Sequence, residues 1–486
     1  MILKPGFKSV EEHKTLLNIG ATFDIPTGYW LRGTYGEWIL MGGLGPTTAI
    51  VGPGNMYKST ILHYQMLSAM SKIWASTPTS SSTYDSEGNI HLPRLKHFTK
   101  MFPEFNDVDI IENGDWVISD ATIYLGDEWY SRLREFMKDK RKNGKELMVK
   151  LPFNNREGKS AYEIVPTFSE IDSISAMHIG AAGDIMDKND IGTSGGSHVF
   201  MREGLGKSQL QHELPSLAAS ANHYVLTTSH IGDRVNMSTG YGNAPPKKQL
   251  QFLPTDMKIK GATNQILYNQ HNLWLVTGSS LLWNQSDKTT RYPKMQGHAI
   301  AEDKDLNIVT LLHIRGKAGP SGFKLDIIVS QDEGVLPSLT EFHALKERGS
   351  FGFDGNDRTY RLFLLPEETL QRTTVREKLD GNAKLRRAMN ITSEIAQMYA
   401  FHKAYVGDKL MSTEDLVSKL KDHQYDLDFI LSKTRGWWTY DNDQVAGYFL
   451  STLDLLEMAA GRYTPYYLED DHRTVKKEFK RSWDTH

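Results

Sequence analysis

The chain of 486 residues contains no cysteine, which excludes disulfides and thiolate metal sites. It has no run of 18 apolar residues, so no segment reads as a membrane span, and its opening MILKPGFKSVEEHK is too charged for a secretory signal. These absences lead us to expect a cytoplasmic protein with no membrane partner. Net charge is scarce too: 56 Lys and Arg against 59 Asp and Glu leave −3, so any nucleic-acid binding must come from local basic patches. Internal repeats are missing, and the short STPTSSST at 76–83 is the only biased run. What remains is an ordinary composition in a chain long enough for a sizeable core and more than one domain.

The stretch TTAIVGPGNMYKSTILHY, 47–64, reads as a strand, a glycine turn and a helix opened by Lys-Ser-Thr. Against the phosphate-loop pattern G-x-x-x-x-G-K-[ST], Gly52, Lys58 and Ser59 fall in place and Tyr57 replaces the second glycine. Such a turn points backbone N–H groups at a polyphosphate and feeds a helix whose positive end faces the same anion. In that arrangement Gly52, Pro53, Gly54, Asn55, Met56, Tyr57, Lys58, Ser59 and Thr60 cradle the phosphates, Lys58 adds a point charge, and the Ser59 hydroxyl faces Mg²⁺. Tyr57 is compatible if its backbone avoids positive φ, or if about 1 kcal/mol of strain is absorbed elsewhere. With 40 glycines, a bare G-x5-K-[ST] arises by chance in roughly a third of such chains, so its setting matters more than the pattern. That setting is favourable: Ala49-Ile50-Val51 precedes it, and Ile61, Leu62, Tyr64 and Leu67 follow at helical spacing.

From about 46 to 345 short apolar strands alternate with helices, the order of an α/β fold with a largely parallel sheet. Strands are expected at 48–51, 81–84, 167–171, 224–228, 273–277, 308–314 and 324–329, and helices at 8–18, 59–73, 126–142 and 205–221. Two insertions interrupt this: 148–165, a hairpin around Asn154-Asn155 and Gly158, and the glycine-rich 178–200, read as a loop. GSFGFDGNDRTY, 349–360, reads as a turn-rich boundary before a mainly helical C-terminal region. We therefore divide the chain into an N-terminal segment, 1–30, suited to an oligomerisation arm, a core at 31–349, and a C-terminal region at 350–486.

Downstream of the loop, side chains suited to ATP hydrolysis follow in order at strand ends. Glu87, in YDSEGN, can orient and deprotonate the attacking water. Asp172, in SEIDSIS, is the candidate for the Mg²⁺ shell, although Ser169 and Glu170 stand where a buried parallel strand should be aliphatic. His230, closing YVLTTSH, can touch the γ-phosphate, and Arg315 and Lys317 stand two apart on a strand before a Gly-Pro turn. Each of these alone is an ordinary strand-end residue, and only the ordered set favours an ATPase. The segment 231–265 suits a single DNA strand: Lys247, Lys248, Lys258 and Lys260 can neutralise phosphates, and Tyr241 or Phe252 can insert beside bases. The 178–207 stretch, with Arg202 and Lys207, is the next candidate.

This set resembles the RecA superfamily, most closely the phage UvsX-type recombinases. The motifs that carry the resemblance are GPGNMYKS with its aromatic before Lys-Ser, YDSE at 84–87, IDS at 171–173, Ser229-His230, Arg315-x-Lys317, and the strand, acidic turn and helix of 323–349. It covers about 46–350. It implies a RecA-like P-loop ATPase core, ATP and Mg²⁺ as cofactors, and a homo-oligomeric filament on single-stranded DNA that pairs with duplex DNA. ATP would lie between subunits, with Arg315 and Lys317 reaching a neighbour's nucleotide. Two alternatives share the fold: a hexameric DnaB-type helicase, suggested by RGKAGPSG, and a RecA-fold ATP-binding module without DNA activity, suggested by the polar strand before Asp172.

Overall fold

The computed structural model describes residues 15–178, 194–233, 249–261, 264–297, 303–356, 358–481 and 483, with the side chains of 194–202 and 264–265 left aside. Its centre is a ten-stranded sheet, whose strands we label in chain order: β1 (Thr47–Gly52), β2 (Ser81–Asp85), β3 (Trp116–Asp120), β4 (Thr167–Asp172), β5 (His223–Asp233), β6 (Met257–Ile259), β7 (Asn272–Leu281), β8 (Leu306–Gly316), β9 (Lys324–Ser330) and β10 (Gly334–Val335). Across the sheet the order is β3-β2-β4-β5-β1-β7-β8-β9-β10, with β6 paired to β5. The strands from β3 to β7 are all parallel, while β8, β9, β10 and β6 run antiparallel to their partners. All seven expected strands are present. β3, β6 and β10 carry too little apolar periodicity to stand out.

β1 is buried at every residue, as a central parallel strand covered on both faces should be. The helix Lys58–Trp74 follows it and is buried along most of its length. Helix Gly126–Lys142 matches expectation, and Ser194–Ala221 begins eleven residues earlier than expected, so 194–200 of the stretch read as a loop is helical while 179–193 lies outside the described residues. The 148–165 insertion is the expected hairpin, pairing Met148–Asn154 with Ser160–Ile164. Among the described residues no helix is long and apolar enough to cross a membrane.

Two expectations about the ends need correction. Leu16, Leu17, Ile19, Phe23 and Ile25 are buried, so 15–30 packs within the chain and is not a free arm; of the expected 8–18 helix, 8–14 lies outside the described residues and 15–18 is not helical, Leu17 instead bridging to Leu44. The turn-rich 349–360 opens a three-stranded antiparallel sheet, Phe353–Asn356, Thr359–Leu362 and Leu365–Leu370, before the C-terminal helices begin. Those helices do not stand apart from the core. One apolar cluster runs from Ile25, Trp30 and Leu306 through Phe342 to Leu385, Ile395 and Leu456. Long-range bonds join the same surfaces: Trp438 Nε1 donates to the Leu40 carbonyl at 3.0 Å, and the Trp38 N–H donates to Asp454 at 2.8 Å.

Candidate nucleotide site

Because β1, β2, β4 and β5 are parallel, their C-terminal ends share one sheet edge, the edge where open α/β sheets hold ligands. Gly52 closes β1 so near β7 that a Cβ there would meet Val276 Cβ at 2.8 Å. Tyr57 has φ 58° and ψ 18°, and Asn55 has φ 55°, so the tyrosine takes the strained left-handed course, at a cost of about 1–2 kcal/mol. Its ring and Met56 pack part-buried against the core, which offsets that strain. The helix begins at Lys58, whose Nζ donates to the Pro53 carbonyl at 2.6 Å across the mouth of the loop. Burial lowers the lysine's pKa, against the opposing pull of Asp172 and Glu87.

The YDSE motif builds the turn that presents Glu87. Asp85 accepts the N–H groups of Glu87, Gly88 and Ile90 at 2.8–3.0 Å. Ser86 donates to the Ser173 carbonyl at 2.6 Å and accepts the Ser173 N–H at 2.8 Å, which ties this turn to the end of β4. Glu87 Oε1 accepts from Ser173 Oγ at 2.8 Å and lies 3.2 Å from His230 Nε2. Burial would raise the Glu87 carboxyl, but those two hydrogen bonds, with His230 and Lys58 nearby, outweigh it and hold the pKa below its usual value. Glu87 is therefore ionised at neutral pH, as a water-activating base must be. Asp172 ends β4 and accepts a hydrogen bond from Thr228 Oγ1, and His230 lies level with Gly52 in the β1–β5 register.

One cavity of about 420 Å³ brings together Lys58, Ser59, Thr60, Glu87, Asp172 and His230, and adds Thr228, Arg94 and Gln331. Sequence reasoning missed these last three. Thr228 was findable, since it lies two before His230 on the same strand; Arg94 and Gln331 carry no local signal.

The polar residues of β4 have partners. Ser169 Oγ lies 2.7 Å from Ser82 Oγ and 3.0 Å from His223 Nε2. Glu170 Oε2 pairs with His63 of the loop helix at 2.9 Å, while its Oε1 is buried with no hydrogen-bond partner among the described residues. Burial would lower the His63 pKa, but Glu170 outweighs it and raises it.

No protein-family model and no curated protein matches this chain.

The remaining candidates lie elsewhere. Arg315 pairs with Leu273, which pairs with Ala49, so it sits toward the amino edge of the sheet, away from the turn at 52–58. Only Arg315 is in the strand, since β8 ends at Gly316 and Lys317 follows it; among the described residues Arg315 Nε is buried without a hydrogen-bond partner, and Lys317 Nζ donates to the Asn269 carbonyl at 3.2 Å. Lys258 lies on β6 and Lys260 just after it, both exposed. The Lys260 N–H donates to the His230 carbonyl at 2.7 Å, and Ser229 Oγ donates to the Lys260 carbonyl at 2.7 Å, so this basic strand is fastened to the residue that lines the cavity. Lys247 and Lys248 lie outside the described residues, as does Tyr241. Lys207 is buried in an ion pair with Glu203 at 2.8 Å, which removes it as a DNA contact.

Proposed function

We propose that the chain is a RecA-like, ATP-dependent DNA recombinase: it assembles as a filament on single-stranded DNA, binds ATP between subunits, and pairs the bound strand with homologous duplex DNA. The observation that carries this reading is the meeting of the loop, Glu87, Asp172 and His230 in one cavity, in the chain order expected of an ATP-hydrolysing core. The parallel sheet extended by an antiparallel flank supports the RecA-like assignment. The polar strand before Asp172, which favoured a module without DNA activity, loses that weight because Ser169 and Glu170 are partnered.

The donor set fits Mg²⁺. Ser59 and Asp172 offer hard oxygens, no group of three or more His, Asp or Glu side chains gathers into a metal cage among the described residues, and Mg²⁺ carried on a triphosphate needs only one or two protein ligands. Ser59 and Asp172 would hold the ion, which would neutralise phosphate charge there. The N–H groups opening the helix hold the phosphates. Lys58 exchanges the Pro53 carbonyl for them, Glu87 orients a water and takes its proton, and His230 meets the terminal phosphate. A shift of His230 passes to β6 through Lys260 and Ser229, which couples nucleotide to DNA. Arg315 acts on the next subunit, since head-to-tail assembly sets one amino edge against the next carboxyl edge.

The test is ATP hydrolysis by the purified chain without DNA, with single-stranded DNA and with duplex, alongside imaging with an ATP analogue. Filaments with stimulation by single strands support the proposal. Hexameric rings point to a helicase, and absence of both stimulation and assembly sinks the DNA role.

A further inference from the structure

The loop helix Lys58–Trp74 and β4 are joined by one side-chain hydrogen bond among the described residues, between His63 Nδ1 and Glu170 Oε2 at 2.9 Å, with the two side chains 6% and 0% exposed. Glu170 Oε2 also accepts from Thr83 Oγ1 at 2.7 Å, and Thr83 accepts from Trp116 Nε1 at 2.8 Å, so β2 and β3 hold the carboxylate in place. His63 lies four residues after Ser59, on the same helix face one turn on. Glu170 lies two residues before Asp172, on the same face of β4. The bonded pair is thus one layer beneath the pair proposed to hold Mg²⁺.

We infer that His63 and Glu170 are positioning residues for the Mg²⁺–nucleotide site, their bond setting the spacing of helix and strand and with it that of Ser59 and Asp172. The inference rests on the nucleotide reading above. Apolar packing between helix and sheet is non-directional and permits small slides. Mg²⁺ demands near-octahedral oxygens at about 2.0–2.1 Å, and such sites need their ligands held within about 0.5 Å. A directional bond directly below supplies that constraint. Stability alone would be served as well by two apolar side chains of similar volume, because burying both charges costs about as much as their attraction returns.

The test measures binding of a fluorescent ATP analogue as Mg²⁺ is raised from EDTA conditions, with thermal melts as a control on folding. In the double variant His63→Leu with Glu170→Leu we expect Mg²⁺-free affinity to match the native chain while half-saturating Mg²⁺ rises about tenfold. His63→Gln, which returns a donor to Glu170, should restore most of the native Mg²⁺ dependence. An unchanged Mg²⁺ requirement in the double variant overturns the inference. Should that variant fail to fold, His63→Phe with Glu170→Gln, which leaves Thr83 an acceptor, is judged by the same criterion. If the native chain itself binds no nucleotide, the nucleotide reading fails and this inference with it, an outcome distinguishable because it needs no variant.

Discussion

The carboxyl and amino edges of the central sheet treat charge differently. At the carboxyl edge Glu87 and His230 keep about a third of their side-chain surface exposed and hold each other, so the carboxyl stays ionised in a cavity open to ligand. At the amino edge Lys140, from helix Gly126–Lys142, is buried: its Nζ donates to Thr167 Oγ1 at 2.7 Å and to the Asn222 carbonyl at 3.1 Å, both neutral. Burial brings its pKa down from 10.5 to about 7, against Glu163. Beside it His223 is buried between Thr167 and Ser169, and burial and then Lys140 push it well below its usual value. One edge leaves an ion pair open to a cavity, and the other lowers the charge on the groups it buries. Substitutions at the first should therefore change turnover, and those at the second stability.

The sharpest break in that contrast comes from Lys58 and Glu87. Lys58→Ala should lose about a thousandfold in ATP turnover and weaken nucleotide binding, because in the proposed mode the ammonium faces the phosphates. Glu87→Gln should lose a similar factor in turnover yet keep nucleotide affinity, since its proposed part is to act on water. Steady-state hydrolysis with equilibrium binding separates the two, and native turnover in either variant removes that residue from the site. Neither should move the melting temperature by more than a few degrees.

Arg315 complicates the contrast, since it lies at the amino edge and is assigned a catalytic part on a neighbour. Arg315→Ala should reduce turnover about a hundredfold or more, and mixing it with Lys58→Ala subunits should recover part of the activity at junctions where an intact loop meets an intact arginine. Mixed assemblies with no recovery would make Arg315 structural.

The contrast also marks what could be read before the fold. The strands β1, β5, β7, β8 and β9 were legible because central strands are apolar runs, β2 and β4 only because each leads into an acidic strand end, and the meeting of Glu87, Asp172 and His230 because strand ends in a parallel sheet share one edge. β6 was hidden because Met257–Ile259, at three residues, is too short to show a period, and its pairing depends on the backbone of β5. Glu170 looked like an error in its strand because its partner His63 is 107 residues away. The backbone course of Tyr57 could not be chosen from residue type, since avoidance and strain were both open until φ was known.

Between pH 8 and 10 the amino edge makes a smaller and opposite prediction. Folded Lys140 loses its proton near 7 and the unfolded chain holds it to near 10.5, so the unfolded state binds more protons in this window and stability rises with pH. Asp24 and Glu341, which burial raises to about 8, lower stability mainly below this window. Urea unfolding should show a slope of up to about 1.4 kcal/mol per pH unit that Lys140→Met flattens. A variant retaining the slope would place the neutral charge elsewhere.

The smallest effect belongs to Lys258 and Lys260, exposed on and just after the strand that extends the carboxyl edge beyond His230. Exposed lysines contact phosphate without reading sequence, and each contact releases about 0.9 counterion from duplex or 0.7 from a single strand. Replacing both with alanine should therefore weaken single-strand binding about tenfold, equally for different sequences, and reduce the slope of log affinity against log salt by about 1.4. ATP binding without DNA should be unaffected, because neither ammonium lines the nucleotide cavity. The decisive comparison is the nucleotide dependence. The Lys260 N–H is bonded to the His230 carbonyl and its carbonyl to Ser229, and alanine keeps both backbone bonds, so the variant should still bind DNA more tightly with ATP analogue than without. An unchanged salt slope would show that these lysines are not the DNA contact. A changed slope with no nucleotide dependence in the native chain would leave β6 as a DNA strand uncoupled from His230.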